Sequence, residues 1–254
     1  MITRRLDLAL RGGVEARVLF TGRGSMASGG SSRSPYAWTN LASHVGDDPD
    51  AVRANRTRLA GELGVPATAM TFMHPDHGRG VAVVSEPTGV EPGAEIHAVD
   101  ALVTDRAGVG LVALSADCVP VVLVAAESGV VAAVHSGWRG LVVDVVGAAT
   151  AQMRRLGAGE IRALLGPAIC GDCYPVPGER AEEVGAVRPE AVGTAPDGQP
   201  SVDVRRGMAA RLAELDVAVT LVGGCTAQDP SLYSHRRDGR TGRQGGAVAI
   251  VAAA

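Results

Sequence analysis

Lysine is absent from this chain of 254 residues; all 24 of its basic residues are arginine. That excludes chemistry requiring an amine side chain, such as a Schiff base or the lysine of a phosphate-binding P-loop. The one-sided usage reads as the composition bias of a high-GC genome. Aromatic residues make up 3% of the chain against 46% hydrophobic residues, so the core must be built from Val, Leu, Ala and Ile. Positive charge is not in excess, because the net charge is -3, and no electrostatic case exists for a nucleic acid or an anionic membrane as partner. No apolar run approaches a membrane span, and Arg4 and Arg5 are followed by no apolar leader region. Cysteine is scarce as well. Cys118, Cys170, Cys173 and Cys225 are too few and too scattered for an oxidised framework in a chain of this size. A reduced, cytoplasmic protein is expected, long enough to bury a sizeable core.

What is present is a series of short Val-rich runs with helical stretches between them. Runs of this kind suit strands buried on both faces. Strands are expected at Val18–Gly24, Met70–Met73, Val81–Val84, Ala98–Val103, Val130–Val134, Ile161–Leu165, Val217–Val222 and Ala247–Ala252. Leu111–Leu114 and Val121–Ala125 read as one interior strand region, broken around Asp117-Cys118-Val119-Pro120. Helices are expected at Pro49–Leu63, closed by Gly64, then at Leu141–Arg155, Glu179–Val187 and Val204–Leu215. No repeat, heptad or long linker divides the chain. The pattern predicts one α+β (mixed α/β) domain over residues 1–254, with its core at about 18–252.

Reactive groups interrupt the apolar runs at two places. Ala116-Asp117-Cys118-Val119-Pro120-Val121 puts a thiol at the break in one strand, and Val134-His135-Ser136-Gly137-Trp138-Arg139-Gly140 puts an imidazole at the end of the next. His77, in the turn His74-Pro75-Asp76-His77-Gly78, also sits beside a glycine. His77, Cys118 and His135 could hold zinc with an open fourth position, and Cys118 with His135 could equally be a nucleophile and its base. Cys170-x-x-Cys173 invites a metal or redox reading, but no second close pair accompanies it. A structural role is expected for it, with Cys170, Cys173 and Cys225 outside the metal set. Ser234 through Arg243, Arg56 and Arg139 are candidates for holding an anion.

Taken together, these motifs resemble the laccase-domain family. They are joined by Gly166-Pro167-Ala168-Ile169, Cys173-Tyr174, Asn40-Leu41 with His44-Val45-Gly46-Asp47, and Asn55-Arg56. Members of that family carry the names of multicopper polyphenol oxidases, purine nucleoside phosphorylases and peptidoglycan editing factors. The resemblance covers about Phe20 to Ile250. It implies mixed sheets packed together with helices outside, similar to the deamidase-toxin-like cysteine hydrolase fold. It also implies a metal, usually taken as zinc and less readily copper, on His77, Cys118 and His135, the same three residues being catalytic. Purine nucleoside and phosphate are the implied substrates, with Asn40, His44, Arg56 and Arg139 as substrate-binding residues. The implied reaction is phosphorolysis of adenosine, inosine and related nucleosides such as methylthioadenosine, with adenosine deamination beside it. The other readings are a Cys-His amidase editing peptidoglycan precursors, a copper-dependent phenol oxidase and a non-catalytic cell-wall or division scaffold. One departure stands out: the family's Gln-Val before the first ligand histidine is Pro75-Asp76 here.

Overall fold

Strands that are apolar on both faces need a partner layer on each side, and that requirement sets the architecture. The computed structural model describes residues 1–253. In chain order the elements are β1 (Ile2–Ala9), β2 (Val14–Thr21), α1 (Pro49–Leu63), β3 (Met70–Phe72), β4 (Val81–Val83), β5 (Ala101–Thr104), β6 (Gly110–Ser115), β7 (Val119–Ala125) and β8 (Val130–Ser136). There follow α2 (Trp138–Val142), α3 (Val145–Arg155), β9 (Arg162–Leu165), α4 (Gly178–Val187), β10 (Val192–Thr194), β11 (Pro200–Val202), α5 (Val204–Glu214), β12 (Ala218–Leu221), α6 (His235–Asp238) and β13 (Gln244–Ala252). One sheet has the order β1-β2-β13-β6-β3 and is antiparallel except at β6/β3. The other has the order β12-β9-β7-β8-β5-β4, with parallel pairs at both edges. β10 and β11 form a separate hairpin.

Successive side chains of a strand point to opposite faces, and the core divides accordingly. Val122 and Val124 of β7 share a cluster with Phe20, Leu111 and Val248 of the first sheet. Val121 and Leu123 of the same strand join Val145, Ala149 and Met153 of α3, with Val184 of α4 and Met208 of α5. Beyond the first sheet, Leu19, Val112 and Ala247 pack with Leu59 and Leu63 of α1. The layers are therefore α1, sheet, sheet and a bank of helices. This is the mixed α+β domain expected from the composition. No helix among the described residues is long and apolar enough to cross a membrane.

α1 has the bounds its sequence predicts. The Asp48 side chain accepts from the Asp50 N–H, Pro49 opens the first turn, and Gly64 closes the helix at φ 82°, a left-handed value that glycine adopts without a Cβ penalty. Elsewhere the structure departs from expectation. Leu111–Leu114 and Val121–Ala125 do not belong to one strand region: β6 lies in the first sheet and β7 in the second. The chain crosses between them at Ala116-Asp117-Cys118, with Asp117 at φ 96°, in a region where Asp is among the few non-glycine residues found. The helix expected over Leu141–Arg155 is broken into α2 and α3 by Asp144 at φ 61°, whose side chain caps α3 by accepting from Gly147 N–H. β1 and the β10/β11 hairpin have no counterpart in the expected elements.

Candidate active site

The crossing between sheets places the thiol. Asp117 holds the corner: its carboxylate accepts from Thr226 Oγ1 at 2.6 Å and from Arg236 N–H at 2.6 Å, and its carbonyl accepts from Ile169 N–H. Cys118 follows at once. His135 lies on the neighbouring β8, paired with Pro120 of β7. His77 arrives from the turn before β4, at φ 57°. Its Nε2 is 3.9 Å from Cys118 Sγ, and its ring meets that of His135 edge-on with centroids 4.8 Å apart. Gly137 leaves room for the three: a Cβ there would stand 2.9 Å from Cys118 Sγ and 3.3 Å from His77 Cδ2.

One carboxylate braces the His135 imidazole and the backbone of the His77 turn. Asp100 Oδ1 bonds His135 Nδ1 at 2.8 Å and accepts from His77 N–H at 3.0 Å, while Oδ2 accepts from Gly78 N–H at 2.7 Å. With Nδ1 engaged, His135 offers Nε2 to the site. Burial pushes the Cys118 thiol up, but the His135 imidazole and then His77 outweigh it and hold the thiol down at about 6. Burial pulls His135 down, and Cys118 and Asp100 lift it to about 9. The two shifts run in opposite directions because each group favours the charged form of the other. A cation bound to these donors would displace the thiol and imidazole protons.

The donors fit a metal. The ligand atoms of His77, Cys118 and His135 lie within 4.8 Å of one another. Bonds of about 2.0–2.1 Å to nitrogen and about 2.3 Å to sulfur require tetrahedral donors about 3.5 Å apart, close to the observed Cys118–His77 separation. The Asp100–His135 pair supplies the carboxylate behind an imidazole ligand that metal sites commonly show.

Two cavities meet at these donors, and His77, Cys118 and His235 line both. One, of ≈ 220 Å³, is walled by Trp138, Ile169 and Tyr174. The other, of ≈ 360 Å³, is the more polar of the two and is lined by His44, Ser115, His135 and Arg243. Pro75, the residue that replaces the family glutamine, forms part of its wall.

The expected substrate-binding residues divide. His44 faces the more polar cavity. Asn40 is fully buried, and its side chain binds Ala42, Asp47 and the Arg243 N–H; it positions the arginine loop. Arg139 is exposed, with its guanidinium 5.3 Å from the Trp138 ring centre, and lines neither cavity. Arg56 is corrected outright. It is 1% exposed, pairs with Glu95, donates to the carbonyls of Leu41, Val90 and Glu91, and lies 4.1 Å over the Phe72 ring. Every arm of its guanidinium is engaged, so none is left for phosphate. Asp100 and Arg243 carry more of the site than the sequence pattern suggested. Arg243 belongs to the basic loop Ser234 through Arg243, a candidate for holding an anion. Asp100 had no local signal beyond its place ahead of a strand.

A family model described as multi-copper polyphenol oxidoreductase laccase matches residues 18–251. A purine nucleoside phosphorylase of Streptomyces griseus is 47% identical over 223 residues, 87% of this chain and 90% of its own. An adenosine deaminase, RL5, from an unknown prokaryotic organism is 40% identical over 156 residues, 59% of this chain and 60% of its own. The hypothetical protein YfiH of Bacillus licheniformis has the same fold at a TM-score of 0.85 and 24% identity, over 93% of this chain and 96% of its own. The matched residues run from β2 into β13 and take in the whole His77, Cys118 and His135 corner, and the chain belongs to the multi-copper polyphenol oxidoreductase laccase family.

Proposed function

We propose that the chain is a metal-dependent purine nucleoside phosphorylase with zinc on His77, Cys118 and His135. The observation that carries this reading is the meeting of a ring-walled cavity and an arginine-bearing cavity at one set of metal donors. The name of the Streptomyces relative agrees with it. Two imidazoles, one thiolate and an open position suit catalytic zinc. A multicopper centre needs more imidazoles than the two in this group.

Phosphate belongs in the more polar cavity. Arg243 Nη1 is pinned to the carbonyls of Thr241 and Gly242, while Nε and Nη2 make no hydrogen bond among the described residues. Burial lowers its pKa, yet a guanidinium stays charged at any working pH. Burial, followed by the neighbouring His74, pulls His44 down to about 4, so it meets the anion as a neutral hydrogen-bond partner. The purine belongs in the cavity walled by Trp138, Ile169 and Tyr174, against apolar and aromatic side chains. In the reaction a phosphate oxygen bonds to C1′ of the ribose as the C1′–N9 bond breaks, and its electron pair leaves with the purine, which takes up a proton. Arg243 fixes the attacking anion in line, and the apolar walls keep water from competing. His77, Cys118 and His135 would hold the metal, which would supply Lewis acidity when bound. Adenosine, inosine and methylthioadenosine are the substrates to test. Hydrolysis of adenosine to inosine and ammonia is a second reading, prompted by the relative named adenosine deaminase.

Chromatography of inosine and phosphate incubated with tag-free protein tests the proposal. Hypoxanthine and ribose 1-phosphate are expected in equal amounts. Cys118→Ser should lose both metal and turnover. Arg243→Ala should keep its metal and raise the phosphate KM by about tenfold or more, the worth of a lost charge-assisted hydrogen bond. Turnover by metal-free protein would instead make Cys118 a nucleophile, and phosphate-independent product would reject phosphorolysis.

A further inference from the structure

Three thiols outside that site come together from two loops. Cys170 precedes the 3-10 turn Gly171–Cys173 as its N-cap, and Cys173 is the last residue of that turn. Cys225 comes from the loop after β12. A β-bridge between Ala168 and Cys225 lays the loops side by side, and Cys170 N–H points at Cys225 Sγ at 3.3 Å. All three residues are free cysteines, and their sulfur atoms lie within 4.8 Å of one another.

We propose that Cys170, Cys173 and Cys225 form a second metal site, three thiolates taking a soft cation of the zinc or cuprous class. The distances suit it. Metal–sulfur bonds of about 2.3 Å place sulfurs about 3.8 Å apart in a tetrahedron and about 4.0 Å apart in a trigonal plane. A C-x-x-C turn presents two ligands from one side, and a distant third closes the set. Thiolate is the donor that selects soft ions.

The local electrostatics fit the same picture. Burial pushes Cys225 up, but N–H groups of Cys170, Gln228 and Ala227, with the Cys170 side chain, outweigh it and hold the thiol below its ordinary value. Burial, then the Cys225 side chain, drives Cys170 up to about 12. Burial likewise raises Cys173. Thiols packed this closely oppose one another's ionisation. Binding a cation releases the remaining thiol protons. Cys170 also lines a cavity of ≈ 270 Å³ together with Asp172, Asp203 and Arg206, which gives an ion a route in.

The site has a structural consequence for the first one. Ile169 and Tyr174, next to Cys170 and Cys173, wall the ring-lined cavity. Thr226, next to Cys225, holds Asp117. An ion joining the two loops would clamp that wall to the corner that carries Cys118. The inference does not depend on the nucleoside reading, because it rests on different residues.

Metal analysis of the reduced, tag-free full chain tests it, with zinc and cuprous ion supplied in separate arms. The parent should hold about two equivalents, Cys118→Ser about one, Cys225→Ser about one, and the double variant about none. Cobalt loaded into the Cys118→Ser protein should show intense thiolate charge-transfer absorption, lost when Cys225→Ser is added. Cys173→Ser, at a half-buried position, gives the same readout should Cys225→Ser fold poorly. A folded Cys118→Ser protein that binds neither ion would overturn the proposal. So would a Cys170–Cys173 disulfide found by mass spectrometry in freshly purified protein.

Discussion

Asp100 shows how much of a site can rest on a residue that touches no substrate. Its two oxygens fix the His77 turn and the tautomer of His135 together. Its own backbone N–H donates to Gly80 and its carbonyl accepts from His135 N–H, so it cannot shift without moving both ligands. Burial works against its negative charge, but the His135 side chain and the two N–H groups outweigh it and keep the carboxyl below its ordinary pKa. An amide at this position has one acceptor oxygen for three donors. Asp100→Asn should therefore weaken metal binding by about 10–100-fold, the usual cost of losing the partner behind an imidazole ligand. Competition with a chromophoric chelator measures it, and an unchanged affinity in folded protein would remove Asp100 from the site. The sequence hid this residue for a plain reason. His77 and His135 advertise themselves by chemistry and by adjacent glycines. Asp100 is 23 residues from one and 35 from the other, and only the strand order brings them together. Arg56 erred in the opposite direction: an arginine in an Asn-Arg pair looks available until Glu95 and three carbonyls are seen to enclose it.

Among the elements, those with local punctuation were legible. α1 could be bounded from Asp48, Pro49 and Gly64 because caps act within a few residues. The β6/β7 crossing could not, because Leu111–Leu114 and Val121–Ala125 are equally apolar and nothing in either run says which sheet it joins. The α2/α3 break was missed for a similar reason. Val142, Val145, Val146 and Ala149 keep a helical period across it, while the determinant is tertiary: Arg211 of α5 reaches Asp144 with two bonds, at 2.9 and 2.8 Å. That pair locks the cap of α3 to α5, beside β8, the strand that carries His135. Asp144→Ala should cost about 1–2 kcal/mol through the lost cap and the poorly tolerated positive φ, and Asp144→Asn should retain most of it. Urea unfolding midpoints separate the two. An alanine variant as stable as the parent would mean that the break is held by packing alone.

At the scale of the whole molecule, the buried Arg56–Glu95 pair ties α1 to the connection between β4 and β5. Arg56 belongs to α1, outside the first sheet. Glu95 lies on the long connection from β4 to β5, which serves the second sheet, and Ser43 from the loop before α1 also donates to it. Burial lowers the Arg56 pKa, but not into any working range, so Glu95 is the group whose titration matters. Burial raises Glu95, yet Ser43 and Arg56 together outweigh that effect and bring it from 4.5 to about 2. A carboxyl depressed in the folded state stabilises it fully above the unfolded value. That stabilisation fades as pH falls from about 4.5 towards 2, by about 1.4 kcal/mol for each pH unit. Glu95→Gln should therefore unfold more easily at neutral pH, by about 3–5 kcal/mol, because Arg56 is left buried without its counter-charge. It should also flatten the acid limb of the stability curve by about one proton. Arg56→Ala should destabilise similarly, while its folded fraction keeps the parent's phosphate KM, the reverse of the pattern for Arg243→Ala. Chemical denaturation from pH 7 to 2, beside phosphate titrations at neutral pH, resolves both. An Arg56→Ala protein of parental stability whose phosphate KM has risen would return Arg56 to the active site and reject its role as the tie between layers.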